Sequence, residues 1–574
     1  MIILSLLVFA SCHKPEQSGH DQLFEIIASN KAFMEEEYPS LGEQYNSLPQ
    51  MDEASIERRA AFASGLLEAL DAIDQAALSA EDRITLQLFH FVQSDLVAQF
   101  ELKGYLNPIL ADAGFHVSFA FTAGEFSFTS IEDYENYFSV LRSFPKYTKE
   151  HIALMRKGLA TGMCQSSVVL KGYEVTFDNH IVSHAEESYF YTPLKTLPAH
   201  FSESEKKKIL EDGRSAILNG AVKGYQLFSD FMKNEYMPST RSTTGAKDLP
   251  NGAEFYEQRI KYYTTLELTP DSIHRLGLQE VARIKNEMDQ IISEVGFDGT
   301  FPEFLTFLRT DEQFYAKTPD ELIKHTAWIA KSMDGKLPKL FGKLPRQPYT
   351  VNPVPAHLVP KYTSGRYASA SLASQNPGQY WVNTYALENR PLYVMEALTF
   401  HEAVPGHHLQ HALSLELTDL PAFRQSLYLS AFGEGWGLYS EFLGVEAGFY
   451  KDPYSRFGRL TYEMWRACRL VVDTGLHAKG WTRQQAMDYL ADRTALSLHE
   501  VTTETDRYIS WPAQALSYKI GELKIKALRQ KASKALGTHF DIRAFHDLIL
   551  SKGTVTLTIM EEMVDEYIQA NSKH

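Results

Sequence analysis

Apolar residues recurring every three or four positions run through most of this chain, and that spacing commits it to helices. In "ASIERRAAFASGLLEALDAIDQAALSAEDRITLQLFHFVQSDLVAQF" (54–100), Leu66, Leu67, Leu70 and Ile73 fall on one stripe, the pattern of an amphipathic helix. The stretches "DPYSRFGRLTYEMWRACRLVVDTGLHAKG" (452–480) and "WPAQALSYKIGELKIKALRQKASKAL" (511–536) read the same way. In "SLHEVTTETDRY" (497–508) the Thr and Glu residues predict a further helix start. The fold class read from this spacing is mainly α.

Two segments break the pattern. Around 345–385, "LPRQPYTVNPVPAHL" and "GRYASASLASQNPGQYWVNTY" mix prolines, small residues and β-formers, which predicts short strands with turns at Asn376–Gly378. A small β-sheet should therefore precede the helix carrying His401. The stretch "YMPSTRSTTGAKDLPNGAEFY" (236–256) is rich in Gly, Ser, Thr and Pro and reads as a lobe boundary or long surface loop. This divides the chain into a leader (1–22), an N-terminal helical lobe (23–250) and a C-terminal lobe (251–574). No solenoid repeat is evident, and no internal run is long enough to span a bilayer as a helix.

With 574 residues, 44% hydrophobic and 22% charged, the chain has the composition of a folded globular body. Its net charge of −16 argues against nucleic-acid binding, which needs a basic face to displace counterions. No GxxxxGK[ST] loop and no G-x-S-x-G elbow occurs, which disfavours NTPase and α/β-hydrolase chemistry. Of three cysteines, Cys164 and Cys468 have no nearby partner in sequence and read as small buried apolar residues.

The third, Cys12, ends the apolar run in "MIILSLLVFASCHKPEQSGH". That start resembles a bacterial lipoprotein signal, although no Lys or Arg precedes the run. The resemblance implies cleavage before Cys12, lipidation of its thiol, and an exported protein tethered to a membrane facing the periplasm or the cell surface.

The chemistry concentrates in "HEAVPGHHLQ" (401–410). His401 and Glu402 open like an HExxH zinc helix, but Pro405 stands where the second histidine belongs. In an unbroken helix His407 would lie about 9 Å along the axis and roughly 120° away from His401, and His408 on the right face but about 10 Å distant. Proline removes a helical N–H and clashes with the carbonyl four residues back, while glycine tolerates angles closed to other residues. A broken turn at Pro405–Gly406 brings a later histidine back toward one ion. The motif reads as a rebuilt metal site, with His407 and His408 as alternatives for the second ligand.

"TFHEAVPGHHLQ", then "GEGWGLYSE", then "DRYISWPAQALSYKIG" resemble, in that order, the bacterial DUF885 family. That family is in turn similar to gluzincin-type zinc metallopeptidases related to angiotensin-converting enzyme and the thermostable carboxypeptidases. The motifs cover the C-terminal third. The resemblance implies a large multi-helical metallopeptidase fold with a deep cleft, one Zn(2+) per chain, and hydrolysis of short peptides. Set beside the "GHALY"-like segment of those carboxypeptidases, "GHHLQ" makes His407 the matching ligand, whereas helical phase favours His408.

The resemblance further assigns Glu434 to the metal, Glu441 to a supporting position behind the ligands, and Glu402 to the general base. Tyr508, beside Arg507, is the implied oxyanion donor, with Arg507 positioning it or binding a substrate carboxylate. Tyr518 and Lys519 are weaker substrate-binding candidates from the same segment. "GRYASASLASQNPGQYWVN" resembles the edge strand on which such peptidases hold extended substrate, with Asn383 nearby as a polar contact. Two other readings use the same residues: a zinc-dependent ester or amide hydrolase, and a noncatalytic peptide-binding surface lipoprotein.

Overall fold

Capping residues set where the helices begin. The 54–100 stretch forms two helices, Glu53–Asp71 and Ala80–Glu101, whose N-termini are held by the side chains of Asp52 and Ser79. Leu66, Leu70 and Ile73 bury against Leu23 and Phe89 in a small cluster of their own. Asp52, Ser79 and the turn at 72–79 split what periodicity alone joins. Similarly, Ser497 caps the helix Leu498–Ser510, which starts ahead of the Thr and Glu residues that signalled it. The predicted 511–536 helix begins only at Ser517, because Ala513 takes a left-handed φ of 69° just after Pro512.

The computed structural model describes residues 18–41, 45–355, 363–370 and 376–572, so Cys12 lies outside the described residues. The chain is mainly helical with a small three-stranded sheet. Strands β1 (Tyr349–Pro353), β2 (Gly365–Ala368) and β3 (Gly378–Val382) follow the order β1-β3-β2, with β1 parallel and β2 antiparallel to β3. Among the described residues no helix is long and apolar enough to cross a membrane. Cys164 and Cys468 are both buried and free.

Two helix pairs carry the centre of the molecule. Pro270–Glu294 packs along Pro453–His477, and Ser430–Glu446 packs along Ser517–Leu536. The Pro453–His477 helix is buried almost throughout, with Asp452 capping its first turn. One hydrophobic cluster runs through the molecule from Leu88 to Val564. The loop after Ser239 is pinned to it: Arg241 Nε donates to the Cys164 carbonyl and the Ala246 N–H donates to His477 Nδ1. Arg424, fully buried, joins Glu81 on the Ala80–Glu101 helix to the Lys552 carbonyl.

Candidate metal centre

The short helix Met395–Glu402 delivers His401 and Glu402 from its last turn. Ala403 and Gly406 then leave helical geometry, with ψ of −108° and −129°, and a new helix, His407–Leu415, begins at once. A Cβ at Gly406 would sit 1.9 Å from the His401 carbonyl oxygen, so the chain doubles back where only glycine fits. Because the second helix starts a fresh phase, counting turns from His401 says nothing about which later histidine returns. His407 does: its ring centroid lies 4.8 Å from that of His401, at 84°.

Glu434 arrives from the helix Ser430–Glu446, its Oε2 3.3 Å from His401 Nε2 and 3.5 Å from His407 Nε2. The ligand atoms of the three residues all lie within 4.8 Å of one another. The glycines of "GEGWG" create this closeness. A Cβ at Gly437 would be 2.7 Å from the His401 ring, and one at Gly435 would be 2.5 Å from Gly521 Cα on the Ser517–Leu536 helix. Bare backbone at these points lets a ring and a neighbouring helix press against the helix that carries Glu434.

The surrounding contacts orient these three groups. Glu441 Oε1 holds His401 Nδ1 at 2.8 Å, which fixes Nε2 toward Glu434, and the Tyr428 hydroxyl donates to Glu434 Oε1 at 2.9 Å, which leaves Oε2. Burial alone would depress His401, but hydrogen bonds with Glu434 and Glu441, aided by the charge of Glu402, push it up to about 9. Burial would raise Glu434, yet His401 and His407 hold its carboxyl well below the usual range. Donors about 2.0–2.1 Å from one tetrahedral zinc lie about 3.3 Å apart. The 3.3 and 3.5 Å spacings to Glu434, the His₂Glu donor set and the carboxylate behind His401 fit such an ion.

His408 is turned away. Its Nε2 donates to the Gln347 carbonyl and its Nδ1 accepts from the Tyr367 hydroxyl, each at 3.1 Å, and burial pushes it down to about 4. Neighbouring residues on a helix point about 100° apart, so a first-turn His407 facing the cluster excludes His408.

The cluster forms part of the wall of a cavity of about 890 Å³, together with Glu402, Arg507 and Tyr518. Glu402 Oε2 accepts from the Tyr367 N–H of β2 at 2.8 Å. The Asn383 N–H donates to the Ser364 carbonyl on the inner side of that strand, so the ladder's alternation turns Gly365 and Tyr367 outward. The edge strand on the cavity is thus β2, and the described residues of 365–382 form two short strands, as the predicted turn at Asn376–Gly378 implies.

Three sequence candidates lie elsewhere. Tyr508 is 1% exposed and off the cavity wall, its hydroxyl accepting from Trp465 Nε1 and Arg469 Nε, both at 2.8 Å. Lys519 is fully buried on the far side of its helix between Glu463 and Glu280, at 2.9 and 3.0 Å. Asn383 lines a smaller neighbouring cavity rather than this one, its Nδ2 donating to the Thr363 carbonyl and its Oδ1 accepting from the Tyr385 N–H. Tyr518 stands where Tyr508 was expected, its ring 6.3 Å from that of His401 and 4.3 Å from the Arg469 guanidinium.

Residues 36–564 match the family described as "Bacterial protein of unknown function (DUF885)". The chain belongs to the DUF885 family. It is also similar to a solved structure of a predicted lipoprotein from Colwellia psychrerythraea, with a TM-score of 0.90 and 26% identity over 97% of this chain and 100% of that one. A predicted lipoprotein of unknown function from Shewanella oneidensis shares the fold, with a TM-score of 0.72 and 16% identity over 96% and 100%. No curated protein matches the chain.

In this DUF885 protein, the cavity residues that sequence reading missed include Tyr367, Tyr428, Arg466 and Arg469. The two arginines lie on the buried Pro453–His477 helix, where a charge at a core position was the available signal. Arg469 donates to Glu504 at 2.9 Å and Arg466 stacks on Trp465, 4.3 Å from its ring centroid. Nothing local marked Tyr367 or Tyr428, whose roles depend on Glu402 and Glu434.

Proposed function

We propose that this DUF885 protein is a zinc-dependent metallopeptidase that hydrolyses short peptides, tethered to a membrane through lipidated Cys12. The observation that carries the reading is the convergence of His401, His407 and Glu434 beside Glu402 on the wall of one cavity. The tether rests on the leader sequence and agrees with the description of the Colwellia and Shewanella proteins as predicted lipoproteins.

His401 and His407 through Nε2 and Glu434 through Oε2 would hold the ion, which when bound polarises a carbonyl and lowers the pKa of a water toward about 7. Glu441 keeps the Nδ1 proton of His401 in place, so the ring stays in the tautomer that offers Nε2. Glu402, its Oε2 fixed by the Tyr367 N–H, takes the water's proton on its other oxygen and returns it to the leaving nitrogen. The outward carbonyls of Gly365 and Tyr367, with the Tyr367 N–H already held by Glu402, align an extended peptide along β2. Tyr518 takes the oxyanion-donor role that the family resemblance implied for Tyr508.

Elemental analysis of the purified chain tests the ligand set. One zinc per chain is expected, lost in His401→Ala, His407→Ala and Glu434→Ala and kept in His408→Ala. A wild type that holds no metal even after zinc is supplied overturns the hydrolase reading and leaves a peptide-binding lipoprotein. Turnover of ester substrates with none of peptides replaces the peptidase by a zinc esterase.

A further inference from the structure

A second cavity, of about 280 Å³, adjoins the first and shares with it Ser364, Leu398, Tyr462 and Glu500. Its inner walls are apolar, from Val382, Val394, Met395 and Leu496, all less than a tenth exposed. Met395, Leu398 and His401 follow one another at three-residue steps on the same helix. At 1.5 Å per residue, Leu398 stands about 4.5 Å along the axis from the candidate ligand and Met395 about 9 Å. The helix that presents His401 to the metal centre thus presents its earlier turns to this side chamber.

The mouth carries unmet polar capacity. The Ser364 hydroxyl stands between Arg390 and Glu500, 3.0 Å from Arg390 Nη1 and 3.3 Å from Glu500 Oε1. Arg390 Nε is buried without a hydrogen-bond partner, and Arg390 and Arg466 act on the buried Glu500 carboxylate through their charge. An apolar chamber with a guanidinium on its wall suits a side chain that enters while the peptide backbone beside it supplies an acceptor. Ser364 also directly precedes β2, so a peptide lying along that strand passes the opening.

We infer that this chamber is the specificity pocket for a large apolar side chain, such as Leu or Phe, on a residue flanking the scissile bond, with Arg390 holding a neighbouring peptide carbonyl. The inference rests on the metallopeptidase reading for the word scissile, but the chamber's preference shows in binding as well as in cleavage.

The experiment uses acetylated, amidated hexapeptides with Ala, Asp, Leu, Phe or Trp placed at each position in turn. Hydrolysis is followed with the zinc-loaded wild type, and binding by calorimetry with Glu402→Gln. At one position flanking the bond, Leu or Phe should exceed Ala by at least about tenfold in kcat/KM and in affinity, the discrimination apolar pockets give. Val394→Phe, which fills the chamber, should collapse that ratio toward one while zinc content stays at wild-type level. Should that variant fail to fold, Leu496→Ala enlarges the chamber and should move the preference toward Trp. Apolar preference in binding without hydrolysis by the wild type sustains the chamber and sinks the peptidase. Hydrolysis without a size preference, a preference that survives Val394→Phe or Leu496→Ala unchanged, or no binding of any peptide overturns the chamber.

Discussion

Two pairs of buried histidines separate the halves of this molecule. His116 and His151, 0% and 3% exposed, sit in an aromatic core, with His151 stacked 4.0 Å from Phe115 and both of its nitrogens unpartnered. His401 and His407, 2% and 8% exposed, face carboxylates. Burial pushes His116 and His151 down to about 3, whereas Glu434 and Glu441 outweigh burial and lift His401 to about 9. Equal burial therefore produces opposite chemistry. The partner decides: among rings a histidine is a neutral filler, and among carboxylates its charged form is favoured.

The largest test of the contrast removes Glu402, the carboxylate proposed to do chemistry without holding the ion. Glu402→Gln should lower kcat by roughly 10²–10⁴-fold with zinc content unchanged, read by kinetics and elemental analysis together. Loss of zinc alongside activity would place Glu402 among the ligands instead.

Next, Glu441→Gln takes the charge from behind His401 while keeping its size. Zinc affinity, measured by competition with a chelator, should fall roughly 10–100-fold. An unchanged affinity would reduce Glu441 to a packing residue and weaken the contrast with the aromatic core.

The comparison can be broken from the other side with His151→Phe. A histidine held near 3 in the fold and 6.5 when unfolded adds stability that is fully present above pH 6.5 and is lost as pH falls toward 3. The slope is roughly 1.4 kcal/mol per pH unit between those values. The variant should remove that slope, so its denaturation midpoint should fall less than that of the wild type between pH 6 and 4. A steeper acid limb would show that His151 is protonated in the fold.

The smallest effect belongs to Tyr428→Phe, which removes one hydrogen bond to Glu434 Oε1. About 1.5 kcal/mol, the low end for a hydrogen bond to a charged group, is at stake, so zinc affinity should drop about tenfold. A larger loss would make Tyr428 a structural support of the ligand rather than a single contact.

Much of this was legible in the chain. The three- and four-residue spacing marked the helices, and the mixture of prolines and β-formers marked the sheet between 349 and 382. The order of "HEAVPGHHLQ" and "GEGWGLYSE" singled out His401, His407 and Glu434, which the fold brings together. Helix ends were less legible, because Asp52, Ser79 and Ser497 act through single hydrogen bonds that periodicity does not register.

What the sequence determined by itself was the helical class and the residue types able to hold a metal, since both follow from patterns within a few turns of chain. The tertiary structure decided which atoms meet. It chose His407 over His408 because the backbone restarts its phase at Gly406 and strand β2 and the Gln347 carbonyl occupy His408. It gave the cavity to Tyr518 and withdrew Tyr508, whose hydroxyl is claimed by Trp465 and Arg469 on another helix. The direction of a ring is set by contacts from distant segments packed against it, and no local spacing encodes those contacts.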